Sequence, residues 1–234
     1  MDNSETDQAG FTVVLSSGLF AGISQEQAER LRRAMVSVHL ARGEVLFREG
    51  DPANRLYLIQ TGKIKLGTTS PDNRETLLAV LGKGEIIGEL TLFDPGARTA
   101  TAAAVTASDL LELSHEAFVE WLEENPAASK HLLQALARRL RRTNEAVGGL
   151  VFTDVPGRVA KALLDLADQF GESLEDGTVL VRHSLTQEEL AHLVGSSRET
   201  VNKSLAEYAA RGWIKLDGRA VRILNPDHLA KRAS

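Results

Sequence analysis

The sequence predicts an α+β protein built in three stages. These are an N-terminal β-sandwich, jelly roll or barrel, one long helix, and a C-terminal winged helix-turn-helix. Three observations carry this. Between Val36 and Leu113 apolar and polar residues alternate in short runs cut by turn signals. From Asn125 to Leu150 the spacing changes to a heptad. After Thr186 two short capped segments flank a glycine and lead into an Asp-Gly hairpin.

Length and composition bound the rest. A chain of 234 residues suits two modest domains or one large one. Its 43% apolar and 25% charged residues are ordinary for a globular protein. With no cysteine, disulfides, thiolate zinc sites and cysteine-ligated iron–sulfur clusters are excluded. No apolar run approaches the roughly 20 residues that span a bilayer. The opening MDNSETDQAG is acidic and polar, the opposite of a signal peptide, so a cytoplasmic location is expected. The net charge of −5 looks wrong for a nucleic-acid binder, but it is unevenly spread. Residues 1–150 hold 16 Lys and Arg against 20 Asp and Glu, net −4, whereas residues 178–234 hold 9 against 6, net +3. A small C-terminal basic excess permits DNA binding without demanding it.

The elements follow in order. Residues 1–10 read as a flexible tail, and Phe11–Phe20 as a short apolar segment of helical character. Ser24 and Gln27 form a capping box for a helix whose apolar face is Ala28, Leu31 and Met35. Val36, Val38 and Leu40 alternate with Ser37 and His39, and Tyr57, Ile59, Ile64 and Leu66 continue the two-residue period. Arg42-Gly43, Gly50-Asp51-Pro52, Thr61-Gly62, Pro71-Asp72-Asn73 and Gly82-Lys83-Gly84 mark the turns. Ser114–Leu122 is a short helix with Phe118, Trp121 and Leu122 on one face.

The long helix opens with Asn125 as N-cap and Pro126 at its first position. Leu133, Leu136, Leu140, Val147 and Leu150 step by 3, 4, 7 and 3, a seam suited to a second helix and hence to a dimer. Thr143 sits where the seam needs an apolar residue. Spacing leaves two readings open: a polar register-setter, or a pair, Thr143 and Asn144, that reaches a polar ligand. Phe152–Gly157 breaks the pattern and is a candidate hinge. Val159–Phe170 is helical again, and Gly171–Gly177 reads as an acidic loop.

The C-terminal part reads as a nucleic-acid module. Thr186 and Glu189 make a capping box, Gly195 ends that helix, and Ser197 caps a second from Arg198 to about Ala210. At about 100° per residue, Val201, Leu205 and Tyr208 share one arc and Arg198, Glu199, Asn202 and Lys203 the opposite one. Such a face can touch base edges: Arg pairs with guanine O6 and N7, and Glu accepts from cytosine N4. Alone the face would read as a solvated charge array; the preceding capped helix and glycine turn reverse that. The Asp217-Gly218 hairpin forms a wing whose Lys215, Arg219 and Arg222 could touch phosphates.

Gly88-Glu89-Leu90-Thr91-Leu92-Phe93-Asp94-Pro95-Gly96-Ala97-Arg98-Thr99 is a glycine-bounded loop carrying a carboxylate, an arginine and hydroxyls. Arg and backbone N–H groups can take an anion, and Glu a sugar hydroxyl. With this cassette, the Thr143-Asn144 pair, FTDVPGRVAKALL at the break and LTQEELAHLVGSSRETVNKSL in the reader, the chain resembles the cyclic-AMP receptor protein family of transcription regulators, in particular its actinobacterial members. The resemblance covers about residues 15–230.

It implies an N-terminal β-roll, jelly-roll-like, that binds cyclic AMP (residues 11–124), a dimerisation helix (125–151) and a winged helix-turn-helix (152–234). It implies that Glu89 binds the ribose 2′-hydroxyl. Arg98 and Thr99, with Gly88 and Leu90 backbone and with Thr91 beside them, hold the cyclic phosphate. Thr143 meets the adenine amino group, and Asn144 reaches the partner subunit's ligand. DNA contact is expected from Thr186, Gln187, Ser197, Arg198, Glu199, Thr200, Asn202 and Lys203. The implied partners are a homodimer, a DNA palindrome with half-sites like TGTGA facing TCACA, and RNA polymerase, for which residues 171–177 are a candidate surface. Two positions depart from the enterobacterial pattern: Asn144 where it has Ser, and Lys203 where it has Arg, which turns bidentate guanine readout into a point-charge contact.

Other classes fare worse. Cupin-type enzymes cluster metal-binding His residues, whereas His39, His115, His131, His183, His192 and His228 are scattered with no H-x-H pattern, so no metal and no enzyme activity are expected. A haem gas sensor on the same fold is opposed by the intact phosphate cassette. Weak or absent cyclic AMP dependence, or a different effector, is the alternative.

Overall fold

The computed structural model describes residues 24–233. Both the tail 1–10 and the apolar segment 11–20 lie outside the described residues. The chain divides into two compact units. One contains residues up to 68 together with 79–141, the other residues 69–78 together with 142–233.

Unit 1 opens with α1 (Gln25–Ala34), whose capping box is formed: Gln27 N donates to Ser24 Oγ at 3.2 Å and Ser24 N to Gln27 Oε1 at 2.8 Å. Then come β1 (Val36–Leu40), β2 (Val45–Phe47), β3 (Arg55–Thr61), β4 (Ile64–Thr69), β5 (Glu75–Leu81), β6 (Ile86–Ile87), α2 (Leu90–Phe93), β7 (Thr101–Ala104) and β8 (Ser108–Ser114). The strands form two sheets, ordered β1-β8-β3-β6 and β2-β7-β4-β5. Strands β1 and β3 each pair antiparallel with β8, with Tyr57 opposite Glu112 and Val38 opposite Leu110.

The middle of the first sheet, β3 and β8, is buried on both faces. Tyr57, Ile59, Ile87 and Leu110 face a core shared with Ile64, Leu66, Ala102 and Ala104 of the second sheet. Leu56, Leu58, Leu111 and Leu113 face the other way, onto α1, α3 (His115–Glu124) and the start of α4 (Pro126–Phe152). The alternation in β3 is therefore not apolar-in, polar-out. Every residue from Leu56 to Gln60 is buried, because helices cover the face a simpler sandwich would leave wet.

Ser114 caps α3 by accepting from Ala117 N at 3.2 Å. Asn125 does not act as expected. Its side-chain amide turns back and donates to Trp121 O at 2.8 Å, closing the C-terminus of α3. Only its backbone serves α4, where Ala128 N donates to Asn125 O at 2.9 Å. In α4, Ala128 and Leu132 are buried and Leu136 packs against the same cluster, so Leu136 belongs to this core as well as to the heptad. Leu133 and Leu140, 66% and 62% exposed, stand free of it.

Unit 2 takes the end of α4, then α5 (Val155–Phe170), β9 (Gly171–Ser173), β10 (Val179–Val181), α6 (Gln187–Val194), α7 (Arg198–Ala210), β11 (Ile214–Asp217), β12 (Ala220–Ile223) and α8 (Pro226–Ala233). The chain breaks at Thr153–Asp154, and Asp154 caps α5 by accepting from Gly157 N at 2.9 Å. The expected loop 171–177 is in part a strand. Gly171–Ser173 pairs with β10, which pairs with β12, so the wing is the outer hairpin of a sheet ordered β11-β12-β10-β9. The strand hides from pattern reading because its Glu172 and Ser173 are exposed. Helix α8, which packs on α5, has an apolar face too short to stand out from the sequence. Val159, Leu163, Val181, Leu190, Val201, Leu205, Tyr208 and Ile223 are buried in this unit.

Candidate functional site

The turn from β6 into α2 sets the first site. Gly88 has φ of +89°, and a Cβ there would lie 2.3 Å from Arg98 Nη1 and 2.9 Å from Arg55 O, so both the turn and the close approach of Arg98 require glycine. Arg98 is pinned by its own backbone: its N donates to Asp51 O at 2.9 Å and its O accepts from Gly50 N at 2.8 Å. Its side chain, 5% exposed, lies with its guanidinium carbon 4.1 Å from the Phe47 ring centroid. Nη2 donates to Arg55 O at 2.7 Å.

The polar inventory of this cradle does not close. Arg98 Nε and Nη1 are buried and make no hydrogen bond, and neither does Glu89 Oε2. Glu89 is 4% exposed, and its other oxygen accepts from Arg139 Nη1 of α4. Unsatisfied buried donors and acceptors are rare and costly, about 1–3 kcal/mol each and more when charged. Here two guanidinium donors of Arg98, packed against Gly88, and a carboxylate acceptor of the adjacent Glu89 are left open. Burial pulls the Arg98 guanidinium below its ordinary value, against the opposing pull of Tyr57, Asp51 and Glu89. Thr91 Oγ1 donates to Gly88 O at 3.3 Å. His115 Nε2 lies 3.3 Å from the same carbonyl, which only accepts, so Nε2 carries the proton. Burial holds His115 below its ordinary value, against the hydrogen bond to Gly88.

Gly88, Glu89, Thr91 and Arg98 thus come together, with Leu90 and Thr99 exposed at the rim. Thr143 and Asn144 are exposed on α4 and belong to the other compact unit. Arg139, His115 and the aromatic support from Phe47 and Tyr57 were not singled out from the sequence. Arg139 had a signal: it precedes Thr143 by four residues, one helical turn.

The second site is the reader. Thr186 Oγ1 accepts from Glu189 N at 3.1 Å and Glu189 Oε2 from Thr186 N at 2.7 Å. Gly195 ends α6 in the left-handed region, φ +62°. Ser197 caps α7 by accepting from Thr200 N at 3.2 Å, and its hydroxyl lies 2.9 Å from Thr200 Oγ1. The angular map holds: Val201, Leu205 and Tyr208 are buried, while Arg198, Glu199 and Lys203 are exposed, as is Gln187. Asn202 is only half exposed, and its Oδ1 is buried without a hydrogen bond. In the wing Lys215 and Arg219 are exposed. Arg222 is not available as the sequence suggested: its Nε donates to Thr178 Oγ1 at 2.8 Å and its Nη2 pairs with Asp176. That carboxylate belongs to the β9–β10 turn, which pattern reading did not resolve as part of a sheet.

Among the described residues no group of three His, Asp or Glu side chains converges as a metal site, and no helix is long and apolar enough to cross a membrane.

A cradle of buried arginine and glutamate in a β-roll and a capped helix-turn-helix with a wing define a ligand-sensing DNA-binding protein, and comparison with known proteins gives the family. A cyclic nucleotide-binding domain matches residues 37–125, and a Crp-like helix-turn-helix domain matches residues 157–232. The chain belongs to the family of CRP-like transcription regulators. It is 47% identical over 221 residues to a CRP-like cAMP-activated global transcriptional regulator of Mycobacterium tuberculosis, covering 94% of this chain and 98% of that one. The crystal structure of the Thermus thermophilus catabolite activator protein is similar, with 34% identity, a TM-score of 0.53 and coverage of 93% of this chain and 98% of that one. So is the c-di-GMP responsive global regulator CLP of Xanthomonas campestris, with 28% identity, a TM-score of 0.71 and coverage of 86% and 99%.

Proposed function

We propose that the chain is a cyclic-AMP-responsive transcription regulator that binds palindromic operators as a homodimer and acts in the cytoplasm. The observation that carries the reading is the open inventory of the cradle. Arg98 offers two buried donors and Glu89 one buried acceptor. A cyclic nucleotide carries what they lack within one small molecule: anionic phosphate oxygens for Arg98 and a ribose hydroxyl for Glu89. The positive φ of Gly88 brings Arg98 over the turn, where Gly88 and Leu90 N–H groups and the Thr99 hydroxyl would share the phosphate. Arg139 pairs with the other oxygen of Glu89 and leaves Oε2 open to the ligand. Thr143 would meet the adenine amino group and Asn144 the ligand of the partner subunit. The name of the mycobacterial relative supports cyclic AMP as the effector.

Four features support the DNA side: the capped α6 and α7, the exposed Arg198, Glu199 and Lys203, the wing cations, and the family match. Arg198, Glu199 and Lys203 would read bases, while Thr186, Gln187, Ser197 and Thr200 would sit at the backbone. Asn202, half-buried, is a weaker candidate than the other three. The exposed stripe of Leu133, Leu140, Val147 and Leu150 supports the dimer, because apolar residues at heptad spacing on a long helix suit a second helix. Two readers on a two-fold axis suit half-sites about 34 Å apart. RNA polymerase is the further partner that the family implies.

Calorimetric titration with cyclic AMP tests this, with cyclic di-GMP as the rival effector. Saturable binding of cyclic AMP at one site per subunit is expected. Binding of cyclic di-GMP alone, or of neither, would overturn the effector assignment.

A further inference from the structure

Arg98 carries the cation of the cradle, yet little holds the end of its side chain. Among the described residues only Nη2 of its guanidinium makes a hydrogen bond, to Arg55 O at 2.7 Å. One bond leaves a planar group free to turn about it, whereas Nε and Nη1 must face the ligand for the cradle to work. What fixes the plane is aromatic. The guanidinium carbon lies over the Phe47 ring, 4.1 Å from its centroid, and 5.8 Å from the centroid of Tyr57. The two rings are themselves 6.1 Å apart and tilted by 31°.

Each ring is held from a different sheet. Tyr57 of β3 stands directly opposite Glu112 of β8, and its hydroxyl donates to that carboxylate, which also pairs with Arg55. Phe47 ends β2, where the register against β7 slips between Val45 and Phe47. A bulge of this kind re-aims a side chain. Phe47 is half-buried at the margin of the core, where an aliphatic side chain would also pack. The face it turns to Arg98 is what calls for a ring. A cation taken out of water, with two of its nitrogens open, is offset by the negative face of an aromatic.

We propose that Phe47 is a positioning residue of the cradle: its ring face, backed by Tyr57, clamps the Arg98 guanidinium so that Nε and Nη1 meet the phosphate, and the aromatic character of position 47 thereby sets nucleotide affinity. The proposal rests on the effector reading for the identity of the ligand. The ring faces Arg98 before and after binding, so it acts through the fraction of molecules whose Arg98 is already aimed. Without it Arg98 samples other directions, and apparent affinity falls with the fraction that remains competent.

The test is calorimetric titration of the full-length protein with cyclic AMP. Phe47→Leu, which keeps an apolar side chain but removes the ring, should weaken binding roughly 3- to 30-fold, whereas Phe47→Tyr should stay within about twofold of the natural protein. Added to Arg98→Ala, Phe47→Leu should cost nothing further, because the cation is gone. Pentafluorophenylalanine at position 47 guards against a folding defect in the leucine variant. It keeps the shape of the ring, reverses the charge of its face, and should weaken binding as leucine does. Affinity unchanged by leucine or by the fluorinated ring, or an equal loss with and without Arg98, would overturn the clamp and leave Phe47 as packing alone. A second readout needs no nucleotide. The nuclear magnetic resonance signal of Arg98 Nε–H should lie upfield of those of the exposed arginines and move toward them in Phe47→Leu. That shift in a natural protein that binds no cyclic AMP would support the clamp and overturn the effector reading instead. An Nε–H signal among those of the exposed arginines would overturn the clamp.

Discussion

The cradle of the β-roll and the reading face of α7 hold their charges in opposite ways. Glu89 and Arg98 are buried, and three of their polar atoms make no hydrogen bond. Arg198, Glu199 and Lys203 are in water, where every donor and acceptor is already satisfied. In the cradle the cost of desolvating charge is met during folding, and a ligand recovers it by supplying the partners. At the reader the cost falls due on binding, when hydration is exchanged for base edges and phosphates. The cradle should therefore respond to a single substitution steeply. The reader should respond in graded steps that depend on sequence and salt.

The largest expected effect lies in the cradle. Arg98→Ala should weaken cyclic AMP by roughly 10- to 150-fold, the loss of a charge-assisted contact of about 1.5–3 kcal/mol. Arg198→Ala should leave that affinity unchanged, and calorimetry on both variants makes the contrast. Equal losses in the two would erase the distinction between the sites.

Next comes base readout. Arg198→Ala should cost about 1–3 kcal/mol per half-site and flatten the preference at one guanine. A mobility-shift series on the palindrome and its single-base variants measures this. Full discrimination retained at every position would remove Arg198 from the reading face.

The wing divides more finely. Arg219→Ala should weaken all sequences alike and lower the salt slope by about 1 per half-site. Arg222→Ala should leave the slope unchanged, because Asp176 and Thr178 hold that side chain, and should instead loosen the β9–β10 turn. Binding isotherms at two salt concentrations separate the two arginines.

The smallest expected effect is a pH dependence. Burial keeps His115 below its ordinary value of 6.5, so the folded protein keeps it neutral where the unfolded chain takes a proton. The unfolded state then binds more protons, and stability falls as pH drops through 6.5. Above that value the group adds no pH dependence. His115→Gln should flatten the part of the melting curve between pH 7.5 and 5.5 that this residue contributes. Parallel curves for both proteins would show that His115 titrates as freely as in the unfolded chain.

Local signals carried most of what sequence reading got right. Capping boxes at Ser24 and Thr186, the glycine after Val194 and the angular split of α7 are each fixed by residues within a turn or two, and the structure has them where the sequence placed them. The reading faltered where an element takes its role from distant parts of the chain. Asn125 satisfies the helix before it rather than the one after. Leu56 and Leu58 are buried because helices cover their face, which alternation alone cannot reveal. Glu172 and Ser173 join a strand through pairing with β10, and Arg222 is claimed by a carboxylate in that same region. In the cradle the motif gave Glu89 and Arg98 but not Arg139, whose partner lies 50 residues away.

Cradle and reader make one regulator only if they exchange free energy, and reciprocity gives the most direct test. Cyclic AMP affinity should be measured by calorimetry on the natural protein, with and without saturating operator DNA, beside operator affinity with and without cyclic AMP. The two factors must be equal, and a coupling of about 1–3 kcal/mol, or roughly 5- to 150-fold, is expected. Nucleotide affinity unchanged by operator would contradict the account and leave the cradle and the reader as two independent binding sites on one chain.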